Sequence, residues 1–157
     1  MEISGPKEWY TLLDVLKEEK GIAILLGATD TGKSTLAKFL IFNLCQKGLK
    51  VALIDADIGQ SFLGPPATIS LSVFKSDPNW QLVLSPPEIF FVGSITPEEN
   101  FPIHLKGVKR MVDKAASHGV DVILVDTTGF VLGEKGIELK RRKIDLLSPR
   151  FIFTLQK

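Results

Sequence analysis

The sequence has little cysteine, little net charge and no long hydrophobic run. Cys45 is the only cysteine of 157 residues, which excludes an internal disulfide and a cysteine-based zinc site. The formal net charge is +1, so any binding to nucleic acid or a membrane surface has to be local. No apolar run approaches membrane-spanning length, and the polar N-terminus lacks a signal-peptide core. We therefore expect a cytoplasmic protein.

What is present is typical of one globular domain: 45% of the residues are hydrophobic and 24% are charged. Apolar residues at helical spacing alternate with short apolar runs. They predict helices at 9–20, after residue 32, at 103–117 and 134–147, and strands at 21–26, 50–56, 68–74, 81–84, 89–95, 120–125 and 151–155. This alternation predicts an α/β fold whose mostly parallel sheet is covered on both faces.

Residues 27–35 read G-A-T-D-T-G-K-S-T, a complete G-x-x-x-x-G-K-[ST] phosphate-binding loop between a predicted strand and a predicted helix. Gly27 and Gly32 let successive backbone N–H groups face a polyphosphate at the helix N-terminus. Lys33 suits the β- and γ-phosphates, and the Ser34 hydroxyl suits a phosphate-bound Mg²⁺. A chance Gly/Thr/Ser turn would lack this strand and helix context. We predict a nucleoside triphosphate site formed by Gly27, Thr29, Asp30, Thr31, Gly32, Lys33, Ser34 and Thr35.

Two carboxylates, Asp55 and Asp57, end the next predicted strand, and Gln60 follows them. In open α/β sheets, ligands bind at this end of the strands. One carboxylate could hold Mg²⁺ through water while the other activates an attacking hydroxyl, which Gln60 could orient. Residues 65–66, both proline, would stiffen a wall of the acceptor site. The alternatives are a solvated pair of turn carboxylates, or an Asp55 that bonds the turn backbone.

A third motif is the apolar strand that ends in Asp126, within V-I-L-V-D-T-T-G-F at residues 122–130. Asp126 fits the carboxylate that holds Mg²⁺ through water in phosphate-loop enzymes, and Gly129 can bring a backbone N–H near the γ-phosphate. Four apolar residues before an acid are common, so this motif gains its weight from the other two.

The three motifs in this order resemble the polynucleotide 5′-hydroxyl kinase family, which includes the Clp-type RNA kinase subunit of the pre-mRNA cleavage factor and its archaeal and bacterial relatives. The resemblance runs from about Trp9 to the end of the chain and includes residues 64–68 and 91–94. It implies a P-loop NTPase fold. It also implies transfer of the γ-phosphate of ATP, with Mg²⁺, to a 5′-hydroxyl of RNA or DNA.

The resemblance also implies roles for individual residues. Asp57 matches the candidate base for the 5′-hydroxyl, beside Lys33 on the phosphates. Thr128 and Phe130 fall in a clasp that packs on the lysine or the phosphates. The family often has Trp where this chain has Phe130, which keeps the apolar surface but lacks the indole N–H donor.

One departure from the family bears on activity: a lid with paired arginines usually follows the strand that ends here near Lys157. We therefore expect residues 1–157 to be a single P-loop kinase-like domain, truncated before that lid. The rival interpretations are a non-catalytic ATP-binding module or nucleotide switch, and a simple P-loop ATPase or GTPase. A GTPase fits less well because no N/TKxD-like guanine segment is present.

The apolar strand at 151–155 is predicted to be an exposed sheet edge that pairs with a second copy or a partner chain. The alternative is a central position between earlier strands, which would need no partner.

Four further features of the sequence carry less specific predictions. The basic run at 140–143 could contact nucleic-acid phosphates or could equally be a solvated helix surface. Trp80 could stack on a base, although capping an edge of the core is favoured. His104 and His118 have no partner at ligand spacing and are predicted to lie on the surface. Cys45 is predicted to be a buried thiol.

Overall fold

The computed structural model describes residues 3–27, 32–57, 63–93, 101–127 and 133–156. In chain order the elements are α1 (Lys7–Glu19), β1 (Gly21–Leu26), α2 (Lys33–Gln46), β2 (Val51–Ala56), β3 (Thr68–Ser76), β4 (Leu82–Leu84), β5 (Glu88–Phe91), α3 (Phe101–Ser117), β6 (Val122–Thr127), α4 (Gly133–Leu147) and β7 (Phe151–Thr154). Every predicted helix and strand is present. The largest shift in bounds is that of β5, which ends at Phe91 rather than at the predicted residue 95. Strand β6 begins and ends two residues later than predicted, so that Asp126 lies within the strand.

The seven strands form one sheet in the order β4-β3-β2-β6-β1-β7, with β5 also paired to β3. The neighbours β2, β6, β1 and β7 are parallel, whereas β3 is antiparallel to β2, β4 and β5. A parallel pair needs a long crossover, and residues 57–67 between β2 and β3 are too few to hold a crossover helix. The α/β fold is confirmed, as a parallel centre with an antiparallel margin.

Helices cover both faces of the sheet, so that the core has two halves. Leu36 and Phe39 of α2 pack with Leu13 of α1 on one face. Val108 and Met111 of α3 occupy the other face, which α4 also covers. Strands β2 and β6 are buried along their whole length, as expected for apolar runs between two helical layers. Among the described helices, none has the length and apolarity that a membrane crossing requires.

The last strand, β7, lies at one margin of the sheet. Within the described part of the chain it pairs with β1 alone, so the predicted edge position is confirmed and the central alternative is wrong. Phe153 points into the core, whereas Ile152 faces outward and is 44% exposed. The strand thus presents an apolar side chain beside its open backbone groups.

Two predictions about single residues are wrong. His104 is buried, because α3 places it one turn before Val108 on the face that packs against the sheet. Trp80 does not cap the core, since it is 56% exposed in the turn between β3 and β4. Because β3 is antiparallel to β2, that turn lies at the edge opposite the carboxyl ends of the parallel strands.

Two other predictions about single residues hold. His118 is exposed, and its Nε2 lies 3.4 Å from Oε2 of Glu88. Cys45 is buried in α2, and burial raises the pKa of its thiol to about 12. A thiol with so high a pKa is an inert packing group.

Candidate active site

The three motifs meet at one edge of the sheet. Strands β1, β6 and β2 are parallel neighbours in that order, and Asp126 of β6 is in register with Leu25 on one side and Asp55 on the other. The phosphate-binding loop begins directly after β1, and Asp57 comes directly after β2. Residues separated by up to about a hundred positions therefore share the edge at which open α/β sheets bind ligands.

The start of α2 has the geometry of a phosphate-binding helix N-terminus. Gly32 caps the helix with a φ of +93°, a left-handed conformation that favours glycine. Lys33 is buried, and its Nζ donates a hydrogen bond of 2.9 Å to the carbonyl oxygen of Gly27, so the amine spans the loop. Thr35 is exposed in the first turn. Unpaired N–H groups and the helix dipole make this position favourable for an anion.

Ser34 and Asp126 link the first motif to the third. Ser34 Oγ donates to Asp126 Oδ2 at 3.3 Å, and Asp126 is almost fully buried. Burial, reinforced by the charge of Asp55, raises the pKa of Asp126 to about 7, against the lowering effect of Lys33. Its Oδ1 is buried with no hydrogen-bond partner among the described residues. A buried carboxylate oxygen without a partner is suited to a cation or to a water that a cation holds.

These residues fit Mg²⁺ better than a metal held by protein side chains alone. Within the described ranges, no three His, Cys, Asp or Glu side chains converge as a possible metal site. Mg²⁺ usually keeps several waters and takes one or two protein oxygens together with substrate phosphates. Ser34 and Asp126 supply that small set.

Asp55 is occupied by the backbone of the turn that follows β2. Its Oδ1 accepts the N–H of Asp57 at 3.3 Å, and its Oδ2 accepts the N–H of Leu63 at 3.0 Å. The carboxylate is fully buried. These contacts favour the structural alternative for Asp55 over the metal-ligand prediction. They also position Asp57, which is partly exposed at the edge.

Sequence reasoning missed Thr127, the residue that follows Asp126. Its Oγ1 is buried and donates to the carbonyl oxygen of Leu25 at 2.7 Å. The bond ties the end of β6 to the end of β1, so the carboxylate of Asp126 is held beside the start of the phosphate-binding loop. The signal in the sequence that indicates this role is a threonine directly after the acidic residue near the end of the strand.

Sequence reasoning also missed that α4 turns two of its four consecutive basic residues inward. Lys140 is 8% exposed and Lys143 is 1% exposed, whereas Arg141 and Arg142 are exposed and lie near Glu138. Both interpretations of the basic run, as a solvated surface or as a phosphate contact, treated the four residues alike. Helical spacing of three residues between the two lysines would have separated them.

Burial dominates the electrostatics of these lysines. Burial, and then the charge of Lys33, lowers the pKa of Lys140 to about 7, while Asp57 and Asp126 act in the opposite direction. Burial and the charge of Lys140 hold the pKa of Lys143 well below its usual value. On the facing helix α3, burial and then the charges of Lys143 and Lys140 lower the pKa of His104 to about 2.

Several predicted site residues lie outside the described residues and stay predictions. They are Thr29, Asp30, Thr31, Gln60, Thr128, Gly129 and Phe130.

Comparison with known proteins gives one consistent family. The family model described as "mRNA cleavage and polyadenylation factor CLP1 P-loop" matches residues 27–157. A polyribonucleotide 5′-hydroxyl-kinase of Methanocaldococcus jannaschii is 40% identical over 154 residues, which are 97% of this chain and 42% of the relative. One from Pyrococcus furiosus is 41% identical over 156 residues, 99% of this chain and 44% of the relative. The chain thus spans less than half the length of these relatives.

Solved structures support the fold. The Clp1p protein in a complex with Pcf11p superposes with a TM-score of 0.74 at 19% identity, over 96% of this chain and 42% of that one. The signal recognition particle receptor FtsY of Elizabethkingia anophelis superposes with a TM-score of 0.52 at 15% identity, over 93% of this chain and 49% of that one.

Proposed function

The chain belongs to the CLP1 P-loop family, and from that premise we propose that it transfers the γ-phosphate of ATP to the 5′-hydroxyl of RNA or DNA. The observation that carries the proposal is the hydrogen bond from Ser34 to Asp126, which joins the phosphate-binding loop to a buried carboxylate. Two relatives that are 40% and 41% identical to this chain over the aligned residues are named polyribonucleotide 5′-hydroxyl-kinases. Since the chain spans less than half of each, its activity is proposed on the geometry of this domain.

The nucleotide would bind along the loop from Gly27 to Thr35. The N-terminus of α2 would face the phosphates, and the amine of Lys33 would exchange its contact with Gly27 for the β- and γ-phosphates. Ser34 and Asp126 would hold Mg²⁺, the latter through water. When bound, that ion would supply positive charge that offsets the negative charge developing on the transferred phosphoryl group.

The acceptor would approach from the β2 side, where Asp57 lies at the carboxyl edge. The Asp57 carboxylate would accept the proton of the 5′-hydroxyl as that oxygen forms its bond to the γ-phosphorus. The bond from the γ-phosphorus to the bridging oxygen of the β-phosphate breaks, and ADP leaves. Asp55 acts only through position, since its Oδ1 holds the backbone N–H of Asp57.

Labelled ATP distinguishes this proposal from its rivals. The protein is incubated with γ-labelled ATP and with oligonucleotides that carry either a 5′-hydroxyl or a 5′-phosphate. Label transferred only to the 5′-hydroxyl oligonucleotide supports the kinase. Phosphate released into water indicates an ATPase, and ATP binding with neither product indicates a non-catalytic module. A Lys33→Met variant serves as the control, because it keeps the side-chain volume but removes the amine.

The proposal extends to partners and location. We propose that the outer edge of β7 pairs with a second copy or with another chain, because among the described strands β7 pairs with β1 alone and Ile152 is exposed on it. The Clp1p that superposes on this chain is in a complex with Pcf11p. A cytoplasmic location is proposed because a lone buried thiol is usual in a reducing compartment.

A further inference from the structure

Helix α4 separates the four consecutive basic residues at 140–143 into an outer pair and an inner pair. The side chains of Arg141 and Arg142 are 72% and 52% exposed, and Glu138 accepts a hydrogen bond of 2.9 Å from Arg142. Lys140 and Lys143 lie on the opposite face of the helix, buried with Leu139 and Leu147. A lysine at an inward position of a helix is rare unless its amine is compensated by an anion.

The inner end of this pair has polar atoms that packing does not explain. Lys143 Nζ and both ring nitrogens of His104 are buried, and none has a hydrogen-bond partner among the described residues. A buried donor without an acceptor is unfavourable, and more so when it is charged. Apolar residues of similar size would fill this space between α3 and α4 at lower free energy. The two buried lysines together therefore indicate an anion close to them in the site in use.

The position of α4 shows where that anion would bind. The helix starts at Gly133, a short connection after Thr127, so its first turns adjoin the carboxyl edge. It covers the face of the sheet opposite α2, which carries Lys33. Lys140 and Lys33 thus flank the carboxyl edge from its two sides.

The neighbours of Lys140 agree with this placement. The charges that act on it are those of Lys33, Asp57 and Asp126, the residues to which the transfer reaction is assigned. The terminal phosphate of the nucleotide is an anion that the proposed reaction brings to this place.

We propose that Lys140, supported by Lys143, binds the γ-phosphate of the nucleoside triphosphate from the side opposite Lys33. This inference rests on the nucleotide-binding part of the proposed function. Two amines on opposite sides of the phosphoryl group spread its charge over more than one oxygen and hold it in line with the acceptor. Lys143 lies three residues further along the same buried face and positions Lys140, without touching the nucleotide.

Binding of ATP and ADP, measured without an acceptor, tests the inference. Both nucleotides are titrated with Mg²⁺ into the wild type, Lys140→Met and Arg142→Met. Lys140→Met should weaken ATP binding about tenfold or more and leave ADP binding within about twofold, because ADP lacks the γ-phosphate. Arg142→Met should change neither affinity. Equal losses for ATP and ADP in Lys140→Met, or no loss, would overturn the inference.

Further variants separate contact from packing. Lys140→Arg retains a positive charge and should keep the preference for ATP over ADP. If Lys140→Met acted only by disturbing the packing, the bulkier arginine would not restore that preference. Thermal unfolding without nucleotide reports whether each variant folds. If Lys140→Met does not fold, Lys143→Met provides the test: it should lower the ratio of ATP to ADP affinity, and an unchanged ratio overturns the inference.

The inference and the proposed function can fail separately. An ATP preference that depends on Lys140, in a protein that transfers no label to a 5′-hydroxyl, contradicts the kinase and supports the inference. Label transfer with an ATP preference that survives Lys140→Met contradicts the inference alone. A wild type that binds no nucleotide contradicts both.

Discussion

Ser34 Oγ donates a hydrogen bond of 3.3 Å to Asp126 Oδ2, across 92 positions of the sequence. The contact exists because β1, which leads into the phosphate-binding loop, is the parallel neighbour of β6. Four apolar residues before an acid predict little by themselves. Because β1 and β6 are adjacent and in register, Asp126 lies beside Ser34 and becomes one of the two residues of a candidate Mg²⁺ site.

Asp126→Asn should remove most of the dependence of ATP binding on Mg²⁺. The amide keeps the volume and can still accept from Ser34, but it loses the charge that favours a cation. We expect the affinity for Mg²⁺ in the presence of ATP to fall about 10- to 100-fold. Titration of Mg²⁺ at a fixed concentration of a fluorescent ATP analogue measures it. An unchanged Mg²⁺ dependence would contradict the assignment.

Asp55→Asn should destabilise the protein without changing its Mg²⁺ dependence. The carboxylate accepts two backbone N–H groups, and an amide can accept only with its oxygen. We expect the free energy of unfolding to fall by about 1–3 kcal/mol, measured by chemical denaturation.

The matched control for that variant is Asp77→Asn. Asp77 also accepts two backbone N–H groups, from Asn79 and Gln81, but in an exposed turn where water can replace them. Asp77→Asn should lower the free energy of unfolding less than Asp55→Asn does. A large change in Mg²⁺ affinity for Asp55→Asn would restore Asp55 as a metal ligand.

His104 should make the folded state sensitive to acid. Its pKa is lowered from 6.5 to about 2 by burial and by Lys143 and Lys140, so the unfolded chain takes up the proton first. Stability is then lost as pH falls below 6.5, by up to about 2 kcal/mol between roughly pH 7.5 and roughly pH 5. His104→Leu should lose less over this range, measured by urea denaturation at each pH. The exposed His118→Leu is the control, and equal acid sensitivity of both variants and the wild type would refute the assignment.

The open edge of β7 should promote association. Ile152 faces outward beside unpaired backbone groups, so Ile152→Lys places a charge where a second strand would pair. Sedimentation over a concentration series should show a concentration-dependent larger species for the wild type and less of it for the variant. Phe153 is the wrong position for this test because it packs in the core. A wild type that stays monomeric at all concentrations would contradict the proposal.

Most of the fold could be predicted because strands and helices have distinct apolar periods. The runs at 21–26 and 51–56 are continuous and short, as expected for strands buried on both faces. Whether β3 can lie parallel to β2 depends on the length of the connection between them, residues 57–67. That length was visible in the sequence, but the order of the strands was not.

The errors concern polar residues on buried helix faces. His104 was predicted to be exposed because it lacked a ligand partner, although its spacing to Val108 and Met111 places it on the apolar face of α3. Lys140 and Lys143 were treated as one run with the arginines between them. The sequence does not show in which direction a charged side chain points until the helix packs, and here the packing buries both lysines.

The central claim is phosphoryl transfer at the carboxyl edge, and it is tested most directly by single-turnover transfer of γ-labelled phosphate from ATP to a 5′-hydroxyl oligonucleotide. The wild type is compared with Asp57→Asn, and ATP binding is measured alongside. We predict transfer by the wild type and a rate lower by about 10²- to 10⁴-fold in the variant, with ATP affinity unchanged. No transfer by the wild type, or equal rates for the two proteins, would contradict the claim.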